Sequence, residues 1–247
     1  MGGRPRPDQR RYHLNSALAY AGRVSEQAPP TRWAQLAGGA SGSDYAARFE
    51  ALAATGQDLH GEAAFCAALV SAPSRVLDAG CGTGRVAIRL QDLGYQCVGV
   101  DVDESMLAVA VAVAVTVAAE AKEAANPRPG WVLADLSTLD LDQHGIPGGF
   151  DLCVAAGNVI PLLAEGTLER TVAALTATLR PGGLLVTGFG LDHAHLPGNC
   201  PVTTLAAYDS ACELVGLELL ARHGTWQGTP FVDDAGYAVS VQRRVQS

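Results

Sequence analysis

The chain has no C-x-x-C pair, no apolar run of bilayer length and no surplus of basic residues. Its six cysteines, Cys66, Cys81, Cys97, Cys153, Cys200 and Cys212, are scattered, several in apolar runs. That usage reads as reduced, mostly buried thiols of a cytosolic protein. No apolar stretch follows the N-terminal arginines, so a secretory signal is not expected and a cytoplasmic location is. The apolar segment M-L-A-V-A-V-A-V-A-V-T-V-A-A at residues 106–119 is too short to span a bilayer. Asp103, Glu104, Glu120, Lys122 and Glu123 close around it, and no membrane association is expected. The formal net charge of −8 argues against nucleic acid as the main partner.

What is present suits a globular enzyme-sized chain: 247 residues, 48% hydrophobic and 17% charged, enough to bury a sizeable core. Residues 1–32 hold six arginines against Asp8 and Glu26, while the remainder is acidic. We read a basic N-terminal arm at 1–30, either solvated or binding something acidic. A helical cap at 31–72 follows. Within it, L-A-G-G-A-S-G-S-D at 36–44 is a flexible break, and residues 45–70 read as two helices parted near Gly56. The break can be a hinge for a lid carrying Trp33 and Tyr45, or a plain linker. His60 and Glu62 can close over a ligand or form a surface pair.

A core at 73–247 begins where strands start to alternate with helices. R-V-L-D-A, Y-Q-C-V-G-V-D, W-V-L-A-D, F-D-L-C-V-A-A and L-L-V-T-G-F-G read as strands. The Val/Ala segment imitates a strand, but Asp103-Glu104 opens it as a helix opens and A-E-A-K-E-A-A closes it with strong helix formers. It is predicted as a long, largely buried helix from about Glu104 to Ala125. Pro181-Gly182-Gly183 is predicted to turn into the fifth strand. The last two strands are joined by a loop too short for a helical crossover, which makes them an antiparallel hairpin. The fold class is α/β, a doubly wound sheet.

V-L-D-A-G-C-G-T-G-R at 76–85 follows the first strand, where open α/β sheets bind ligands. Its glycines are spaced G-x-G-x-G. A dinucleotide turn would want a glycine where Arg85 stands, and a P-loop would want G-K-[ST]. Asp78 ends the first strand and Asp101 the second, where a carboxylate can grip both ribose hydroxyls. Asp135 ends the third and can accept from an adenine amine, with the Leu136 N–H beside a ring nitrogen. Asp78 and Asp135 can equally cap the turns that follow, and Asp103 is helix-start chemistry.

These motifs together resemble the class I S-adenosylmethionine-dependent methyltransferases. The resemblance runs from about Arg75 to Arg244. V-L-D-A-G-C-G-T-G-R is similar to the family's first motif, and G-V-D-V-D-E-S-M-L to its second. A-D-L resembles the adenine-contacting motif, F-D-L-C-V-A-A-G-N-V-I the fourth-strand motif and L-R-P-G-G-L-L-V-T the fifth. It implies a seven-stranded sheet of order 3-2-1-4-5-7-6 with strand 7 antiparallel. It also implies S-adenosylmethionine as cofactor and S-adenosylhomocysteine as product. Carried over, Gly80, Cys81, Gly82 and Gly84 line the cofactor's methionine part, and Asp78 helps orient it. Asp101 takes the ribose with Val102 beside the adenine, Asp135 and Leu136 bind the adenine edge, and Ala156 and Gly157 lie near the sulfonium.

Neither an N-P-P-Y pattern nor a P-C nucleophile follows the fourth strand, which favours a small-molecule acceptor. Asn158 can hold the acceptor or cap the next turn. His193 and His195, in the loop after the fifth strand, are the candidate bases, with ordinary loop histidines as the plain alternative. No metal site is expected. A non-catalytic cofactor-binding module and a nicotinamide oxidoreductase are the alternatives. The oligomeric state is not read from the sequence.

Overall fold

The computed structural model describes residues 30–36, 41–56, 58–120 and 130–245. The basic arm apart from Pro30, positions 37–40 of the glycine-rich break, and residues 121–125 of the expected long helix lie outside the described residues.

Three helices precede the first strand: α1 (Arg32–Leu36), α2 (Gly42–Ala54) and α3 (Gly61–Leu69). The alternating region follows as β1 (Arg75–Ala79), α4 (Arg85–Asp92), β2 (Gln96–Asp101), α5 (Glu104–Glu120) and β3 (Gly130–Leu133). Then come β4 (Phe150–Ala155), α6 (Val159–Leu162), α7 (Leu168–Thr178), β5 (Leu179–Gly190), α8 (Leu205–Leu214), β6 (Leu217–His223) and β7 (Tyr237–Arg244). The seven strands form one sheet in the order β3-β2-β1-β4-β5-β7-β6. β1 pairs in parallel with β2 and β4, and β7 runs antiparallel to both β5 and β6. The doubly wound sheet and its terminal hairpin are as the sequence predicts.

The central strands are apolar on both faces, as a sheet covered on both sides requires. Val76, Leu152, Val154 and Val186 face one way, and α4 covers them with Val86 and Leu90. On that same side α3 contributes Ala63 and Cys66, both fully buried. Leu77, Cys153, Ala155 and Leu185 face the other way, under Val172 and Leu175 of α7 and Tyr208 of α8. All six cysteines are buried free thiols.

Two local expectations are corrected. The long helix is a helix, but it is not largely buried. Met106, Leu107, Ala110 and Ala114 are packed, whereas Val111, Val113 and Val115 are each about 40% exposed. A Val/Ala repeat of period two distributes valines around a 3.6-residue turn, so one-sided packing leaves some of them in solvent. Pro181-Gly182-Gly183 does not precede β5 but lies inside it, as a bulge. β5 pairs at Leu179 with Phe150, shifts register, and pairs again at Leu184 with Leu152. Gly183 sits so close to the Phe150 carbonyl that a β carbon would lie 2.9 Å from it.

Candidate functional site

A cleft of about 960 Å³, mouth included, opens over the carboxyl ends of β1, β2 and β4 and the turn after β3. Asp78 is the penultimate residue of β1, and beyond Ala79 the chain turns through Gly80, Gly82 and Gly84, each at positive φ. Gly80 needs its missing side chain for packing: a β carbon would stand 2.5 Å from Val159 Cγ2. Gly82 and Gly157 need theirs for space. A β carbon on Gly82 would meet only the Tyr45 ring, at 4.0 Å, and one on Gly157 would meet nothing within 4 Å. Both line the cleft, so a side chain there would project into the volume a ligand needs.

Asp101, at the end of β2, is buried. The Gly82 N–H donates to its Oδ2 (2.7 Å) and the Asp103 N–H to its Oδ1 (2.9 Å). A carboxylate offers about four acceptor sites, so Asp101 keeps capacity for a ligand hydroxyl beyond its backbone donors. Burial pushes the Asp101 carboxyl above its ordinary value. Asp78 is buried as well, accepts from the Ala87 N–H (3.0 Å), and is pushed up to about 7 by desolvation. Asp135 also lines the cleft and accepts from the Ser137 N–H (2.7 Å), capping the 3-10 turn at Leu136–Thr138. Capping and lining coexist at this residue. Burial drives the Cys81 thiol up, so the cleft meets a neutral, compact side chain there.

The other wall comes from the N-terminal helices. Trp33 of α1 donates from Nε1 to Asp103 Oδ2 (2.9 Å), and Arg32 donates to the Pro161 carbonyl of α6 (3.1 Å). These bonds tie α1 to elements that follow β2 and β4. Asp103 also accepts from the Ser105 N–H (2.9 Å) at the start of α5. Burial works against its charge, but these bonds hold its carboxyl below the ordinary value. Arg85 forms a fork-to-fork pair with Glu62 of α3 (2.6 and 2.8 Å) and donates to the Leu59 carbonyl. Its guanidinium also lies 5.2 Å from the Phe49 ring centre. The arginine that departs from a dinucleotide turn therefore fastens α2 and α3 to the glycine loop.

The cleft thus brings together Asp78, Gly80, Cys81 and Gly82 from the loop after β1. From the next strand ends come Asp101, Val102, Asp135, Leu136, Ala156 and Gly157. Gly84 is not among the lining residues; its α carbon faces Trp131, and a β carbon would lie 2.5 Å from that ring. His193 and His195 are exposed and do not line the cleft. The His195 ring pairs with Asp192 Oδ1 (2.8 Å) and packs on Gly236. Asn158 does not cap α6 through its side chain. It accepts from the Gly190 N–H (2.7 Å) and donates to the His195 carbonyl (3.1 Å), strapping the β4 turn to the end of β5. His60 is exposed, and Glu62 reaches Arg85. Sequence reasoning missed the apolar wall of Val159, Leu162 and Leu163. The helical face it forms is too short to show a period.

A sheet of this order, with a glycine turn after β1 and an acid after β2, defines a Rossmann-like methyltransferase domain. Residues 76–183 match the family described as a methyltransferase domain. The solved structure of a TehB-like SAM-dependent methyltransferase from Corynebacterium glutamicum is 30% identical, with a TM-score of 0.70, over 82% of this chain and 97% of that one. Mouse glycine N-methyltransferase is 32% identical over 130 residues, 48% of this chain and 40% of the relative. The CcbJ methyltransferase from Streptomyces caelestis shares the fold, at 24% identity and a TM-score of 0.60, over 75% of this chain and 89% of that one. The chain belongs to the class I S-adenosylmethionine-dependent methyltransferases. It spans about 40% of the length of the glycine N-methyltransferase that it matches.

Proposed function

We propose that the chain transfers a methyl group from S-adenosylmethionine, held in this cleft, to a small-molecule acceptor. One observation carries the reading: Asp101 is buried at the end of β2 and lines the cleft, already positioned by backbone donors, with acceptor capacity to spare. That arrangement suits the two ribose hydroxyls. Asp135 and the Leu136 N–H suit the adenine edge, and the bare Gly82 and Gly157 leave room for the methionine part. When bound, the cofactor supplies an electrophilic methyl group on a sulfonium. The chain's own work is alignment and exclusion of water, which the Trp33, Tyr45 and Leu162 side chains provide from the far wall.

The acceptor is taken to enter beside Val159 and Leu163, where the wall is apolar. The acidic balance of the chain favours a small molecule over nucleic acid. No histidine or lysine lines the cleft among the described residues. That favours an acceptor whose nucleophile is already available. Among the described residues no helix is long and apolar enough to cross a membrane. We place the chain in the cytoplasm.

Release of S-adenosylhomocysteine, measured with a panel of small amines, thiols and hydroxyl compounds, tests the activity. Acceptor-dependent release supports transfer. Cofactor binding without release from any member of the panel supports a non-catalytic cofactor-binding module instead.

A further inference from the structure

We infer that the methyl acceptor carries no anionic group: the cleft suits an apolar amine, thiol or hydroxyl compound and turns away the same compound bearing a carboxylate. This rests on the transfer reading above.

A carboxylate leaves water only at a cost, and a site that takes one offers a cation or free donors in return. Arg85 is the one cationic side chain among the described residues that line the cleft. Its charge is already committed. Both carboxylate oxygens of Glu62 accept from it, at 2.6 and 2.8 Å, and so does the Leu59 carbonyl. The Phe49 ring lies against the same guanidinium. A ligand carboxylate would have to break that pair to reach the arginine.

The glycine loop does not supply the missing donors. The Gly80 and Cys81 N–H groups donate to the Val100 carbonyl (2.8 and 3.0 Å), and the Gly84 N–H donates to the Cys81 carbonyl (2.9 Å). The Gly82 N–H is taken by Asp101. Successive free N–H groups in such a turn would cradle an anion, and these four are spent inside the chain. The charges that do face the cleft are negative. Asp78, Asp101 and Asp135 line it, and none of them forms an ion pair among the described residues. At Asp78, desolvation outweighs the pull of Arg85 and pushes the carboxyl up to about 7. A second carboxylate in the same space would meet the same penalty. The cofactor's methionine part brings a carboxylate of its own, which is a further like charge.

The remaining wall rewards an apolar body. Val159, Leu162, Leu163 and Met106 line it, together with the Trp33 ring. The Trp33 N–H is already given to Asp103 (2.9 Å), so that side chain offers a ligand only its hydrocarbon surface.

Acceptor pairs that differ by one carboxylate test this on the whole chain: phenethylamine against phenylalanine, and benzenethiol against 2-mercaptobenzoate. Release of S-adenosylhomocysteine is measured for each, and binding of S-adenosylmethionine is followed by calorimetry. In every pair that reacts, kcat/KM should be at least about ten-fold higher for the member without the carboxylate, the scale of a charged group held without a partner. Equal values within a pair, or a faster carboxylate member, overturn the inference and leave methyl transfer standing. Cofactor binding with no release from any member, or no cofactor binding at all, refutes the transfer reading itself, and the inference falls with it.

Discussion

Asp78 and Asp101 lie near the carboxyl ends of adjacent strands, and both are buried. Their burial has a consequence for stability. Asp78 is pushed up to about 7, against an ordinary value of 3.8, chiefly by desolvation. Between these values the folded chain keeps a proton that the unfolded chain has released. The unfolded state binds fewer protons there, so stability falls as pH rises from about 4 to about 7 and is level above. The upper limit of the effect is about 4 kcal/mol. Asp78→Asn keeps an oxygen for the Ala87 N–H and removes the titration. Thermal unfolding across this range should show a flatter profile for the variant, and an equally steep profile would contradict the assignment. The acids at strand ends were legible in the sequence because each stands where an apolar run stops. The histidines were not placed by the same logic. A loop sequence carries no periodicity to say which way it leans, and the His195 ring packs on Gly236, outside the cleft.

The helices before β1 are fastened to the glycine loop through Arg85, whose ion pair with Glu62 has side chains 22% and 16% exposed. Removing either partner strands the other in a half-buried site. Glu62→Gln should cost about 2 kcal/mol, between the values for exposed and buried pairs. It should also weaken cofactor binding through looser placement of Tyr45 and Phe49. Denaturant unfolding and calorimetry on the same variant check both, and a stability change near zero would show that the pair does not hold the cap. Arg85 was visible in the sequence as a departure from a dinucleotide turn, but its partner was not. Glu62 lies before β1, and only the docking of α3 on α4 brings the two together. α5 shows the opposite limit. Its capping residues and helix formers gave its type, while a Val/Ala repeat gave no direction for burial. Exposure of Val111 and Val115 was decided by how the helix packs on β2, β3 and α2.

At the scale of the molecule, the order of strands turns a linear sequence of motifs into one cleft. β1 lies between β2 and β4, so the glycine loop, Asp101 and Gly157 converge although they are far apart in the chain. This convergence was legible because each motif sits at a strand end and open α/β sheets bind ligands at that edge. The acceptor was not legible, because the cleft wall from α1 and α2 is built by segments that carry no motif. Titration of the chain with S-adenosylmethionine should give one binding site. Asp101→Ala should lower the affinity at least about ten-fold, the scale of a lost hydrogen bond to a charged group, while a cooperative thermal transition persists. No binding by the wild-type chain, or equal affinity in the variant, would contradict the cofactor reading.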